Sequence, residues 1–200
     1  MNLSGKISLA AAALATVLAL AVAPAAAQAP VYTIVPLASS IKFNVKASVA
    51  LAGTFENWDA TLTFASADVE SGVLKVTIQA ASVNTGSGMK DGKLKGKDFF
   101  NVARDPTITF VSKKIVQTGP TTFEVAGDFT IRGVTKPETL TLALTGKGTG
   151  SGEVKGTMAF DRKDYGMNSK IPFIKIADRV EVDVDLKATQ VSGPPLVYKQ

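Results

Sequence analysis

The most regular feature of this chain is a strict alternation of apolar and polar residues, which is clearest from residue 123 to residue 145. Successive side chains on a β-strand point to opposite faces, so the alternation predicts strands with one buried face and one solvated face. Gly133 lies where the pattern is interrupted, and a second alternating run follows. We therefore predict a long β-hairpin. Pro137 cannot donate to a strand ladder, so we expect it at a strand start or at a sheet edge.

The same alternation recurs along most of the chain. Further runs with strand character lie at residues 39–47, 49–58, 60–65, 73–80, 107–116, 153–161 and 179–188, and a short apolar run lies at residues 31–35. Short turns separate most of these runs, and there is no regular alternation of strands with helices, so a parallel sheet is disfavoured. The pattern predicts an all-β fold of eight or nine mainly hairpin-connected strands, either a barrel or a sandwich. The length of the strands favours the barrel.

Residues 82–102 break this pattern, because they are polar, rich in lysine and end at the pair Phe99-Phe100. Three glycines weaken a helix there, each by about 1 kcal/mol relative to alanine. We predict a mobile loop with one or two helical turns at residues 91–98. A loop of this length inside a compact β domain is usually functional or disordered.

The N-terminal residues have the composition of a secretory signal peptide. Lys6 precedes an apolar run, and small residues end the segment at Ala27. We predict cleavage there, one barrel domain at residues 28–192, and a flexible tail at residues 193–200. An uncleaved membrane anchor is the alternative. The signal peptide predicts a secreted, periplasmic protein, and a chain without cysteine is typical of that compartment.

The chain of 200 residues contains no histidine and no cysteine. This excludes the most frequent general base, cysteine nucleophiles and most zinc and copper sites. No spacing of carboxylates predicts a metal site, and no glycine-rich motif opens a helix. The sequence therefore predicts no catalytic residues, no enzyme activity and no cofactor. The net charge of +5 is modest and does not indicate nucleic-acid binding.

What remains as a candidate site is the apolar face of the strands. An eight-stranded barrel has an interior that side chains fill or that holds one small ligand. Alternation alone does not distinguish a packed core from a lipid cavity. If the lumen binds a ligand, we expect contacts from Phe43, Val45, Phe64, Ile78, Phe99, Phe110, Phe129, Leu142, Met158 and Phe160.

Several short segments, taken in order, resemble one known family. They read SSIKF at 39–43, GTF at 53–55, SVNTG at 82–86, DFFNV at 98–102, PTITF at 106–110, GDFTIRGVTKP at 127–137 and DRKDYGM at 161–167. In order and spacing they are similar to the YceI-like family of bacterial periplasmic proteins. The resemblance implies an extended eight-stranded antiparallel, lipocalin-like β-barrel with one or two short helical segments. It also implies a non-catalytic protein that binds a long-chain isoprenoid or another amphiphilic lipid.

The two irregular segments, 82–102 and 162–177, supply candidates for the entrance to the lumen and for headgroup contacts: Lys90, Lys93, Phe100, Arg162, Tyr165 and Met167. The family often carries an arginine and a histidine where this chain has lysines, so a headgroup contact here would be made by a flexible point charge. Loop anchoring, a solvated lysine face and a structural role for Arg162 are the alternatives. Contact with a membrane surface, a homodimer, and a structural or stress-related interaction module with a filled barrel also remain open.

Overall fold

The computed structural model describes residues 28–49, 51–168 and 174–200, so the predicted signal peptide lies outside the described residues. Strands make up most of the structure. They are β1 (Val31–Ile34), β2 (Ser40–Ala47), β3 (Leu51–Phe55), β4 (Trp58–Phe64), β5 (Gly72–Gln79), β6 (Val83–Asn84), β7 (Thr107–Gln117), β8 (Thr122–Ile131), β9 (Val134–Thr145), β10 (Ser151–Asp161) and β11 (Ile176–Ser192). One α-helix, α1 (Gly88–Lys95), and short 3₁₀ helices at Pro36–Ala38, Val69–Ser71, Ala80–Ser82 and Arg162–Tyr165 complete the described elements.

Eight of the strands form a closed antiparallel barrel. Around the ring the order is β1, β4, β5, β7, β8, β9, β10 and β11, and β11 pairs again with β1. This confirms the predicted all-β class and the eight-stranded barrel. The predicted hairpin is also confirmed, because β8 and β9 pair from Thr122 to Ile131 and are joined by the two residues Arg132 and Gly133.

The strand β11 links the barrel to a smaller strand group. Its C-terminal part pairs with β1, and its N-terminal part pairs with β2. The short 3₁₀ helix Pro36–Ala38 separates β1 from β2, so two successive pieces of chain follow the same edge of β11. Next to β2 lie β3 and then the two-residue strand β6. Phe43, Phe55 and Val83 of this group belong to the same apolar core as the barrel side chains.

The apolar faces of the strands point into the barrel. Along β8 the side chains of Phe123, Val125, Phe129 and Ile131 are all buried, whereas Glu124 is exposed. Gly127 continues the buried parity of the same strand. A Cβ atom at Gly127 would lie 2.8 Å from the ring of Phe110. Only a glycine therefore lets the two strands and this ring come together at that point.

The helix begins and ends three residues earlier than the helical turns predicted at residues 91–98. It is held by Asp91, whose carboxylate accepts hydrogen bonds from the backbone N–H of Thr85 at 2.9 Å and from its hydroxyl group at 2.6 Å. These bonds lower the pKa of Asp91. Leu94 is buried in the core and fixes the last turn. Tertiary packing thus outweighs the cost of Gly88 and Gly92 within the helix.

Pro137 lies inside β9 rather than at its start, but the expectation of an edge position is confirmed. It pairs with Asp128 of β8, whereas β9 pairs with β10 only from Thr141 to Thr145. The first half of β9 therefore has a ladder on one side only, and a residue without an N–H group is tolerated there. On the unpaired side, the 3₁₀ helix Arg162–Tyr165 packs next to β9.

The last eight residues differ from the predicted flexible tail, because they lie against the barrel. Leu196 and Tyr198 pack on the core, and the backbone of Val197 forms a bridge with Asp68. The prediction was based on Gly193-Pro194-Pro195, which does break the strand. The apolar residues that follow have a surface to cover at the end of the barrel, and their burial holds the segment in place.

Candidate functional site

A narrow apolar channel inside the barrel is divided into three adjoining compartments. We name them by position: a helix-end compartment beneath α1 of ≈ 70 Å³, a central compartment of ≈ 80 Å³ and a tail-end compartment of ≈ 100 Å³ beside the last residues of the chain. Ile78 and Phe129 line both the helix-end and the central compartments, while Leu62 and Leu142 line both the central and the tail-end ones. The compartments are therefore successive parts of one lumen.

Every residue predicted to contact a ligand in the lumen lines this channel. The helix-end compartment contains Phe43, Val45, Ile78, Phe99, Phe129 and Phe160. The central compartment contains Phe110, Leu142 and Met158 together with Ile78 and Phe129. Phe64 lies at the tail end with Leu142. Nine of these ten residues follow from strand parity, whereas Phe99 lies in an irregular segment. Contact with a ligand stays a prediction for all ten.

The walls of the lumen offer almost no polar chemistry. Arg162 is the charged residue among those that line the three compartments. Each compartment exceeds the roughly 10–15 Å³ that one water molecule requires, but a water molecule also requires two or more polar partners. A channel with apolar walls therefore favours an apolar occupant over water.

Arg162 is buried at the helix end, and its guanidinium group is used by the protein itself. It donates to the carbonyl oxygens of Ala177 at 3.0 Å and of Met167, and to a carboxylate oxygen of Asp178 at 3.0 Å. Asp178 also pairs with Lys163 at 2.6 Å. These bonds, chiefly the one from Lys163, lower the pKa of Asp178. These contacts support the structural role that was the alternative for Arg162, because they orient the segment that follows β10.

Tyr165 lies behind the wall of the lumen and not at its entrance. The residue is completely buried, and its ring contacts the rings of Phe129 and Phe160 at centroid distances of 5.4 and 5.2 Å. Its hydroxyl group donates to Glu138 at 2.8 Å. Burial, together with that hydrogen bond, raises the pKa of Tyr165 far above its usual value. Tyr165 thus supports two lining residues, whereas Met167 and Phe100 do line the helix-end compartment.

The segment between α1 and β7 covers the helix end of the channel. Leu94, Phe99 and Phe100 point into the barrel and are buried. Arg132 holds this cover in place, because its guanidinium group donates to the carbonyl oxygen of Lys97 at 3.0 Å and to that of Gly166 at 2.6 Å. Both irregular segments are thereby tied to the β8–β9 turn.

Lys90 and Lys93 lie on α1, outside the channel lining. The amino group of Lys93 pairs with Asp98 at 3.2 Å and lies 6.0 Å from the centre of the Phe99 ring. Met89, the neighbour of Lys90, is 87% exposed. The apolar side chain of Met89 therefore projects into solvent from α1, next to Lys90.

Sequence reasoning missed part of the lining. At the helix end the missed residues include Leu51, Phe55, Leu94, Ile131 and Val180, and at the tail end they include Tyr32, Phe123, Leu144, Leu196 and Tyr198. Phe123 and Ile131 share the parity of Phe129, so the same signal would have found them. Leu196 and Tyr198 carried no periodic signal, because they follow a proline pair outside any strand.

Within the described ranges, no group of three or more histidine, cysteine, aspartate or glutamate residues is placed to hold a metal ion. In the same ranges, no helix has the length and apolar character needed to cross a membrane.

Comparison with known proteins identifies the family. A profile of the YceI-like domain matches residues 32–188. The chain belongs to the YceI-like family. A UPF0312 protein of Pseudomonas savastanoi pv. phaseolicola is 31% identical over 143 residues, which cover 69% of this chain and 73% of that protein. Protein YceI of Escherichia coli O157:H7 is 39% identical over 98 residues, or 49% of this chain and 51% of that protein.

Solved structures of similar proteins have the same barrel. BcnA of Burkholderia cenocepacia is 25% identical and superposes with a TM-score of 0.71 over 78% of this chain and 100% of that one. A polyisoprenoid binding domain from Saccharophagus degradans, implicated in plant cell wall breakdown, has 16% identity and a TM-score of 0.63 over 80% of this chain and 99% of that one. At this identity the second similarity concerns the fold.

Proposed function

We propose that this YceI-like protein is a non-catalytic periplasmic carrier that holds a long-chain isoprenoid, or a similar amphiphilic lipid, in its barrel. The observation that supports this best is the series of three adjoining apolar compartments inside the barrel. Transfer of apolar surface out of water contributes about 25 cal/mol per Å². A long, thin lumen suits one linear chain better than a compact ligand. The Saccharophagus degradans domain of the same fold, described as polyisoprenoid-binding, supports the same ligand class.

The headgroup is proposed to lie at the helix end. Arg162 is already bonded to carbonyls and to Asp178, so the lumen itself has no cation to offer an anion. Lys90 and Lys93 on α1 place positive charge just outside the cover, where the pair of Lys93 with Asp98 is exposed to solvent, unlike the buried Arg162. Met89 provides an exposed apolar contact beside them. This arrangement fits a phosphate headgroup or the surface of an anionic membrane. A periplasmic location is proposed on the signal peptide, and N-terminal sequencing of the mature protein is expected to begin at Gln28.

Native mass spectrometry of protein purified without detergent tests whether the protein binds a lipid. We expect an apolar ligand of defined mass, or uptake of an added prenyl alcohol. Val182 lines both the helix-end and the central compartments, so Val182→Phe should narrow the channel and reduce uptake at least tenfold. The matched control is Val73→Phe, because Val73 is 45% exposed on the outer face of β5. Ligand-free wild-type protein that takes up no prenyl lipid would refute the proposal.

The narrowness of the compartments favours a second candidate, a structural or interaction module whose barrel is filled by its own side chains. Phe43, Phe110 and Phe129 are each 6% exposed, which is typical of a packed core. This candidate predicts that Val182→Phe alters only the free energy of unfolding. The mass-spectrometric comparison therefore separates the two candidates.

A further inference from the structure

The C-terminal residues lie beyond the part of the chain that matches the family profile, which ends at residue 188. After β11, the chain turns at Gly193 and runs back across the tail end of the barrel. Leu196 and Tyr198 then become part of the lining of the tail-end compartment. The ring of Tyr198 lies 6.3 Å from that of Phe123, between ring centroids. Leu196 and Tyr198, both half-buried, thus cover part of the channel at that end.

Polar contacts fix the segment on both sides of Tyr198. The side-chain amide of Gln117 accepts a hydrogen bond from the backbone N–H of Lys199 at 2.7 Å and donates one to its carbonyl oxygen at 3.0 Å. The amino group of Lys199 pairs with Glu70 at 2.5 Å. On the other side, the N–H of Val197 donates to Ala67 at 2.7 Å and its carbonyl accepts from Val69 at 3.1 Å.

The exit of the segment from β11 is fixed as well. The amide group of Gln190 donates to the carbonyl oxygens of Gly193 at 2.9 Å and of Pro194 at 2.8 Å. Above the segment, the amino group of Lys147 lies 4.4 Å from the centre of the Tyr198 ring, a cation–π contact. The ring is therefore held from the lumen side by Phe123 and from the loop side by Lys147.

We propose that residues 194–200, which we call the stopper, set the maximum length of the lipid chain that the barrel accepts. This inference rests on the proposed lipid-binding function. The helix end is covered by a segment tied down through Arg132, and the tail end is partly covered by Leu196 and Tyr198. A chain that enters at the helix end reaches the stopper after passing the central compartment. Any further isoprene unit then has to displace a bonded segment.

The test compares wild-type protein with Tyr198→Ala and with a chain that ends at Gly193. Each protein is offered a series of prenyl alcohols that differ by one isoprene unit, and native mass spectrometry records the longest alcohol retained. Tyr198→Ala keeps the contacts of Gln117, Glu70 and Val197, so it tests the stopper even if the truncated chain does not fold. The control is Val191→Ala, because Val191 is 59% exposed near the same end.

We expect Tyr198→Ala and the truncated chain to accept alcohols at least one isoprene unit longer than wild type, and Val191→Ala to keep the wild-type limit. The same limit in Tyr198→Ala as in wild type would overturn the stopper while leaving lipid binding intact. Failure of wild-type protein to bind any alcohol in the series would overturn both proposals.

Discussion

Tyr165 donates a hydrogen bond to the carboxylate of Glu138 at 2.8 Å, across the place where β9 and β10 no longer pair. The completely buried ring of Tyr165 seals that part of the barrel wall and supports Phe129 and Phe160. On the surface beside it, Lys136 pairs with Asp164 at 3.6 Å. The side chain of Tyr165, from the 3₁₀ helix Arg162–Tyr165, therefore fills the part of the barrel wall where β9 and β10 are not paired.

Tyr165→Phe should lower the free energy of unfolding by about 1 kcal/mol, because one hydrogen bond is lost while the ring remains. Tyr165→Ala should cost about 3–5 kcal/mol, since it also leaves a cavity behind the lumen wall. Denaturant unfolding measures both changes. Tyr32→Phe is the control, because its hydroxyl group makes only a long bond of 3.5 Å, to Gln190. An equal loss in Tyr32→Phe and Tyr165→Phe would contradict a special role for the bond to Glu138.

Alkaline pH should destabilise the protein through the same residue. Burial and the bond to Glu138 raise the pKa of Tyr165 in the folded state, whereas the unfolded chain titrates at about 10. The contribution of this group is therefore fully present below about pH 10 and is lost as pH rises above it, because the unfolded state releases its proton first. Unfolding titrations above about pH 10 should show a shallower decline in Tyr165→Phe than in wild type. Parallel curves would contradict the assignment.

Arg132 has a left-handed backbone with φ of 55°, followed by Gly133 with φ of 71°, as a two-residue hairpin turn requires. This conformation costs a non-glycine residue roughly 1–2 kcal/mol, so the two side-chain bonds of Arg132 offset local strain. Arg132→Ala keeps the strain and loses the bonds, whereas Arg132→Gly loses both. In denaturant unfolding, we expect the free energy of unfolding of Arg132→Gly to exceed that of Arg132→Ala by about 1 kcal/mol.

Hydrogen exchange distinguishes the effect of these variants on the β8–β9 turn from their effect on the segment that covers the helix end of the channel. Amides in the segment from α1 to β7 should exchange faster in both, because the bonds to Lys97 and Gly166 are absent from both. Unchanged protection in that segment would show that Arg132 acts only within its own turn.

Positive charge at the helix end should affect the binding of a lipid headgroup and not the binding of the prenyl chain. Lys90→Gln with Lys93→Gln is expected to weaken binding of a prenyl phosphate roughly tenfold, or about 1.4 kcal/mol, with no change for the corresponding prenyl alcohol. The matched control, Lys42→Gln with Lys75→Gln, removes two exposed charges from β2 and β5. Equal loss for phosphate and alcohol would indicate damage to the cover instead. A loss in the control pair would indicate an effect of net charge.

The sequence predicted the barrel and ten residues of its lining, chiefly because strand parity encodes both. Phe129 and Leu142 follow from alternation alone, since a one-residue error in register would place them in solvent. Arg162 was a candidate for headgroup contact, and its bonds to Ala177 and Asp178 support the structural alternative, because a charged residue at the end of a buried strand requires partners nearby.

Other features depend on contacts between distant segments, which periodicity does not encode. Tyr165 lies in an irregular segment, and its partner Glu138 is on a strand formed earlier in the chain. Tyr198 follows a proline pair that is typical of a loose end, and Gln117 and Glu70 hold its neighbour Lys199 from two other elements. Such positions became visible only when the barrel brought these elements together.

The double pairing of β11 has a consequence for how the protein folds. Val31 at the start of β1 is paired with Ser192 at the end of β11, and Ile34 with Ala188. Contacts of such high sequence separation slow folding, because much of the chain must be ordered before the ring closes. The barrel therefore cannot form while its last strand is still being synthesised, and the nascent chain stays open until almost all of it is available. A chain that ends before β11 would lack both pairings that close the ring, namely that of β11 with β10 and that of β11 with β1.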